Sequence, residues 1–281
     1  MAMQEPISRI AIMTKAENQP AFELGWKVQE WLASQGVASD VFTNEERSKD
    51  FDLGHPGPDL ILVIGGDGTI ISVARQLGWL QRPLLGLNLG RVGFLTDLTP
   101  QNWTSILATV LEGNYQLSSR VMLHFETFRD QELLSSGRVV NDLVVGRGGM
   151  ARLIGLTLQH EGQLIGSFRA DGLVVSTPMG SSAYAVAAGG ALVHPELEVF
   201  EICPVCPFMS NVKPMIVPSS WEISIRLEHT FKEAFLTQDG QSGWKLLPGD
   251  LVRIREAAER LFFVQPECMT YFTRLRDKGY M

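Results

Sequence analysis

Hydrophobic and polar positions follow two rhythms through the first hundred residues. Short apolar runs at "RIAIM" (9–13), "VASDVF" (37–42), "DLILVI" (59–64) and "PLLGLN" (83–88) predict strands. The run at 59–64 is unbroken, as a strand covered on both faces requires. Between these runs the apolar positions recur at helical spacing. "PAFELGWKVQEWLASQ" (20–35) opens at Pro20, "TIISVARQLG" (69–78) ends at Gly78, and "QNWTSILATVLEG" (101–113) stops at Gly113. Strand alternating with helix predicts an α/β domain with a doubly wound, Rossmann-like parallel sheet.

The rhythm changes near Ser118. From "RVMLHFETFR" (120–129) to "EISIRLE" (222–228) the runs are short, β-branched and separated by glycine or polar turns. "LIGLTLQHEGQLIGSF" (153–168) predicts a hairpin turning at His160–Gly162. A second, β-rich domain is therefore expected. Helical spacing returns in "CMTYFTRLRDKGY" (268–280), with Tyr271, Phe272 and Leu275 on one side. One short helix cannot bury such a stripe by itself, so it is expected to return to the first domain. The predicted division is 1–118 plus 258–281 for the α/β domain and 119–257 for the β-rich one.

Composition narrows the function. With 31 acidic against 24 basic residues the net charge is −7, and no long Lys/Arg run occurs. No nucleic-acid partner is expected, although a local basic pocket for an anionic substrate remains open. No apolar run approaches the ~20 residues of a membrane span. The first residues lack the pattern of a signal peptide, so the expected location is the cytoplasm. Three cysteines do not suggest a disulfide framework.

The segment "ILVIGGDGTIISVARQ" (61–76) places three glycines and one carboxylate between a strand and a helix. Ligands of open α/β sheets bind off the carboxyl ends of strands, and glycine lets the chain turn sharply there. Asp67 or Thr69 could simply cap the helix. The loop is neither a Walker A loop, lacking Gly-Lys-Ser/Thr, nor a completed G-x-G-x-x-G. A carboxylate beside a phosphate seat can accept the proton of an attacking hydroxyl or hold Mg²⁺. Both are tasks of phosphoryl transfer.

"GGDGT" (65–69) resembles the signature loop of the NAD kinases, shared more loosely with lipid kinases of the diacylglycerol and sphingosine type and with phosphofructokinases. Further segments are similar to the NAD kinase family in the same order: "GLNLGRVGFLTDL" (86–98), "VVNDLVV" (139–145), "FRADGLVVSTPMGSSAYAVAAGGALVHP" (168–195), "NVKPMIVP" (211–218), "DGQ" (239–241) and the tail "YFTRLRDKGY". The resemblance implies an enzyme that phosphorylates the 2′-hydroxyl of the adenosine ribose of NAD. The donor would be ATP or polyphosphate, the product NADP. Asp67 would accept the hydroxyl proton, with Gly68 and Thr69 as loop contacts and Phe94 against the adenine. Asn141 and Asp142 would hold nucleotide hydroxyls or the amide. Arg152 and Arg169 stand at NAD-contact positions, and Asp171 at a contact to the nicotinamide part. Ser182, Ala183, Tyr184, Ala187 and Gln241 would complete the contacts. Mg²⁺ would arrive with the donor, because clustered acids and phosphates repel one another, and no dedicated metal site is expected. A homo-oligomer, dimer or tetramer, is implied. Alternatives are a lipid or sugar kinase with the same loop, or a non-catalytic dinucleotide-binding regulator.

Each carried-over residue also has a plain structural use. Asn141–Asp142 could be an exposed turn, and Asp171–Gly172 and Asp239–Gly240 ordinary Asp-Gly turns. Ala185–Ala191 could be a packed small-residue helix that ends at His194. The chain departs from the family at Met179-Gly180-Ser181-Ser182, where Thr-Gly-Ser-Thr is frequent, and at Phe208 and Lys213, where His and Arg are common. "CPVC" (203–206) lacks the second pair a zinc site needs. Its prolines disfavour a redox helix, so the cysteines are expected to be small buried hydrophobes. The five histidines show no ligand spacing.

Overall fold

The computed structural model describes residues 7–44, 53, 57–90, 93–148, 153–209, 211–228, 233–266 and 271–280. The chain forms two compact units, one of residues 1–119 and 261–281 and one of 120–260.

The first unit opens with β1 (Arg9–Lys15), α1 (Gln19–Ser34), β2 (Ala38–Asn44), β3 (Leu60–Ile64), α2 (Asp67–Leu77), β4 (Pro83–Leu87), α3 (Trp103–Leu111) and β5 (Gln116–Arg120). β1 lies between β2 and β3, all parallel, so the winding reverses direction at β1. That reversal opens a crevice at the carboxyl ends of the strands. All five residues of β3 are buried, which explains its unbroken apolar text. Asn18 caps α1 by accepting the Ala21 N–H at 3.0 Å. The helix buries Ala21, Leu24, Gly25, Val28 and Leu32 against the sheet.

The second unit consists of antiparallel sheet pairs over one apolar core. Its strands are β6 (Leu123–Arg129), β7 (Glu132–Val139), β8 (Asp142–Arg147), β9 (Ile154–His160), β10 (Gln163–Ala170), β11 (Gly172–Ser176), β12 (Val199–Val205), β13 (Met215–Pro218), β14 (Ile223–Leu227), β15 (Ala234–Gln238), β16 (Ser242–Leu246) and β17 (Leu251–Glu256). One sheet runs β10-β9-β14-β17-β6-β7 and the other β13-β12-β11-β8-β15-β16. The predicted hairpin is β9–β10, and its turn residues Glu161 and Gly162 both have positive φ. The chain then returns to the first unit with β18 (Leu261–Gln265), which pairs parallel with β4. It ends in a short helix, Tyr271–Asp277, which buries Leu275 but leaves Phe272 exposed.

The predicted small-residue helix is shorter in the structure. Only Tyr184–Ala187, here α4, is helical, because Gly189 adopts φ +88° and turns the chain away. The C-terminal helix, α5, begins at Tyr271; the preceding residues 268–270, including Cys268, lie outside the described residues.

Candidate functional site

The glycine turn leaves β3 at the carboxyl edge of the first sheet. Asp67 is the first residue of α2, whose N-cap is Gly66 with no side-chain cap. The carboxylate is used elsewhere: Oδ2 accepts the Phe94 N–H at 2.8 Å and Oδ1 the Leu95 N–H at 3.0 Å. Asp67 thus clamps the loop that follows β4. Two accepted hydrogen bonds leave further lone pairs on a carboxylate that has about four. Gly68 is exposed and Thr69 half-buried beside it. Gly65 has no room for a side chain, since a Cβ would lie 2.5 Å from Thr69 Oγ1.

The far side of the same loop is held by α5. Arg274 Nη1 donates to the Phe94 carbonyl at 2.9 Å, and its Nη2 bonds the buried Asp97 carboxylate. The Phe94 ring meets Tyr280 at 5.9 Å between centroids and the Lys278 ammonium at 5.8 Å.

In the second unit, polar residues gather where β8 begins and β11 ends. Asp239 adopts φ +50° and Gly240 φ +64°, the signature of a tight hairpin turn between β15 and β16. The Asp239 carboxylate accepts the N–H groups of Val140, Asn141 and Asp142 at 2.7–3.3 Å. The Asn141 carbonyl receives the Thr177 N–H at 2.8 Å. Gly180 passes so close that a Cβ would stand 2.2 Å from that carbonyl oxygen. The Asn141 backbone is therefore fully committed to the fold, yet its buried Oδ1 has no hydrogen-bond partner among the described residues. A buried amide oxygen left over in this way suits a ligand donor.

Asp142 is 6% exposed. Burial, reinforced by the nearby Asp239 charge and opposed by the Tyr184 N–H that it accepts, pushes its pKa up to about 6. Ser182 closes a 3₁₀ turn (Met179–Ser182) and is half-buried, whereas Ala183, Tyr184 and Ala187 are exposed. Gln241 follows the Asp239–Gly240 turn directly.

Arg169 and Asp171 lie elsewhere in this unit. Gly172 pairs with Gly146 and Ser176 with Asp142, so Asp171 is at the other end of β11 from Asp142. The separation is roughly 16 Å at the rise of a strand. Asp171 pairs with Arg147 at 3.1 Å, and the Arg169 guanidinium lies 5.9 Å from the Phe208 ring centre. Arg152 lies outside the described residues. Lys213 lines an apolar cavity of about 450 Å³ with Leu158, Phe168, Ile202 and Met215. Cys203 is buried as expected, but Cys206 is exposed, at a positive-φ position after β12. Among the described residues no group of three or more His, Cys, Asp or Glu could hold a metal, and no helix is long and apolar enough to cross a membrane.

Sequence reading missed Glu201 and the structural use of Thr177 and Gly93. Glu201 had a signal, a lone charge in the apolar run "VFEICPV". Thr177 had none, since its hydroxyl bonds the Val140 carbonyl of a distant strand.

A carboxylate-bearing glycine turn at the carboxyl edge of a doubly wound sheet is a setting suited to phosphoryl transfer. Residues 28–115 match the ATP-NAD kinase N-terminal domain and residues 140–265 the ATP-NAD kinase C-terminal domain. The NAD kinase of Oleidesulfovibrio alaskensis is 41% identical over 279 residues, covering 99% of this chain and 95% of its own. That of Nitratidesulfovibrio vulgaris is 39% identical, with 99% of each chain covered. Among solved structures, an NAD kinase from Archaeoglobus fulgidus in complex with ATP is similar at a TM-score of 0.74 and 26% identity, over 96% of this chain and 100% of that one. Yeast NADH kinase complexed with NADH shares the fold at a TM-score of 0.84 and 22% identity, over 99% and 88%. The chain belongs to the NAD kinase family.

Proposed function

We propose that this protein phosphorylates the 2′-hydroxyl of the adenosine ribose of NAD, with ATP or polyphosphate as donor, to give NADP. The observation that carries this reading is the Asp67 carboxylate, held by two backbone amides at the carboxyl edge of β3. In the proposed step the 2′-oxygen bonds to the terminal phosphorus as the bond from that phosphorus to the rest of the donor breaks. The hydroxyl proton passes to Asp67. The two amide N–H groups hold the Asp67 carboxylate in one place. A loose phosphoryl-transfer transition state asks little of the base beyond position and late proton acceptance.

Gly68 and Thr69 are proposed as loop contacts and Phe94 as the adenine wall. In the second unit, the buried Asn141 amide oxygen supports a polar contact to the nucleotide, and Asp142, Ser182, Ala183, Tyr184, Ala187 and Gln241 are proposed as further contacts. Asp171 is proposed for the nicotinamide part, and Arg152 and Arg169 as basic NAD contacts that offset the phosphates. Mg²⁺ would be carried on the donor's phosphates, where it neutralises charge; that ion ordinarily keeps its waters and rides on phosphate. The proposed setting is a cytoplasmic homo-oligomer.

The test is to incubate the purified protein with ATP, Mg²⁺ and NAD and to detect NADP with an NADP-specific dehydrogenase. NADP is expected. Tight NAD binding without turnover, or phosphorylation only of a sugar or lipid, would overturn the reading.

A further inference from the structure

Residues 182–187 carry four of the proposed NAD contacts on very little regular structure, one 3₁₀ turn and one α-helical turn. Their apolar anchor is small: Ala185 packs with Val174 and Cys203. The polar anchors stand at the two ends of the segment. Tyr184 donates its N–H to Asp142. Past the Gly189 turn, Ala191 donates its N–H to Glu201 Oε1 at 2.5 Å.

Strand register places the two carboxylates in one row. Ser176 of β11 pairs with Asp142 of β8 on one side and with Glu201 of β12 on the other. Residues paired directly across antiparallel strands share a face. Both carboxylates therefore rise from the face on which Ala185 packs. Glu201 is only 1% exposed. Burial raises its pKa, against the pull of the Ala191 amide and the Cys203 thiol. Packing alone would be served better there by an apolar residue.

We propose that Glu201 is a positioning residue for NAD: it fixes the Ala191 end of the segment as Asp142 fixes the Tyr184 end, so that Ser182, Ala183, Tyr184 and Ala187 are presented in one pose. The proposal rests on the reading that this segment contacts NAD. Gly190 offers an independent handle, because a Cβ there would stand 2.5 Å from Glu201 Oε1 and 2.7 Å from Cys203 Sγ.

The experiment compares the full-length parent with Glu201→Leu, Glu201→Gln and Gly190→Ala. It measures amide hydrogen exchange over residues 184–191 without nucleotide, and KM for NAD and ATP. Glutamine keeps an acceptor of nearly the same shape. Glu201→Leu and Gly190→Ala should speed exchange over 184–191 about tenfold or more. Both should raise KM for NAD roughly five- to tenfold while KM for ATP and kcat stay within about twofold. Glu201→Gln should remain near the parent in both readouts. Should Glu201→Leu fail to fold, Gly190→Ala tests the same contact. Parental exchange and KM in the folded variants overturn the positioning role, as does a glutamine variant as impaired as the leucine one. A parent that neither binds nor phosphorylates NAD overturns the functional reading first, and the NAD role of Glu201 with it.

Discussion

Gly93 sits so close to Asp67 that a Cβ added to it would lie 1.9 Å from Asp67 Oδ1 and 2.6 Å from Oδ2. Its own N–H donates to Thr96 Oγ1 at 2.7 Å, which fixes the backbone there. The loop cannot admit a side chain without displacing the carboxylate. Gly93→Ala should therefore cut kcat/KM by about 100-fold or more, the scale of a 1 Å misplacement of a reacting group. Thermal unfolding of the same variant should show a folded protein; parental activity would show that the Asp67 clamp is dispensable.

Arg274 and Asp97 test the other side of that loop. Their side chains are 10% and 7% exposed. Arg274→Leu would leave the buried Asp97 without its guanidinium, at a cost of about 3–5 kcal/mol. Urea unfolding should report that loss. The double variant Arg274→Leu/Asp97→Leu should recover part of it, because the carboxylate that faced the guanidinium goes too.

Asp142 predicts a pH dependence whose sign follows from its raised pKa. The ordinary value is 3.8 and the folded value about 6. Between them the folded protein holds a proton that the unfolded chain has lost, so this group's contribution to stability falls as pH rises through that window. The full loss above it is on the order of 3 kcal/mol. Asp142→Asn, which still offers an oxygen to the Tyr184 N–H, should gain stability relative to the parent between pH 4 and pH 7. Denaturant melts across that range check it. The Asp142 carboxyl resonance should also titrate lower in Asp239→Asn, since the neighbouring charge is gone.

Much of the first unit was legible because its central strands β1, β3 and β4 are mostly buried and read as apolar runs. Leu60–Ile64 is the plainest case. The β9–β10 turn was legible too, because Gly162 signals positive φ. The length of α4 was not: alanine-rich text favours a helix, and only the φ of Gly189 shows where the chain leaves it. Asp67 could be singled out from its glycine setting, but its amide partners Phe94 and Leu95 could not, since a contact across 27 residues leaves no mark on local pattern. The separation of Asp171 from Asp142 was equally hidden. It follows from strand register, which puts the two at opposite ends of β11.

Asp67 is proposed to take the ribose proton. The most direct measurement is the rate of NADP formation by Asp67→Asn at saturating NAD and ATP with Mg²⁺, alongside its affinity for NAD. We predict a loss in kcat of about 10²- to 10⁴-fold, with NAD affinity changed by no more than a few-fold. An asparagine variant that forms NADP as fast as the parent would show that Asp67 does not accept the proton.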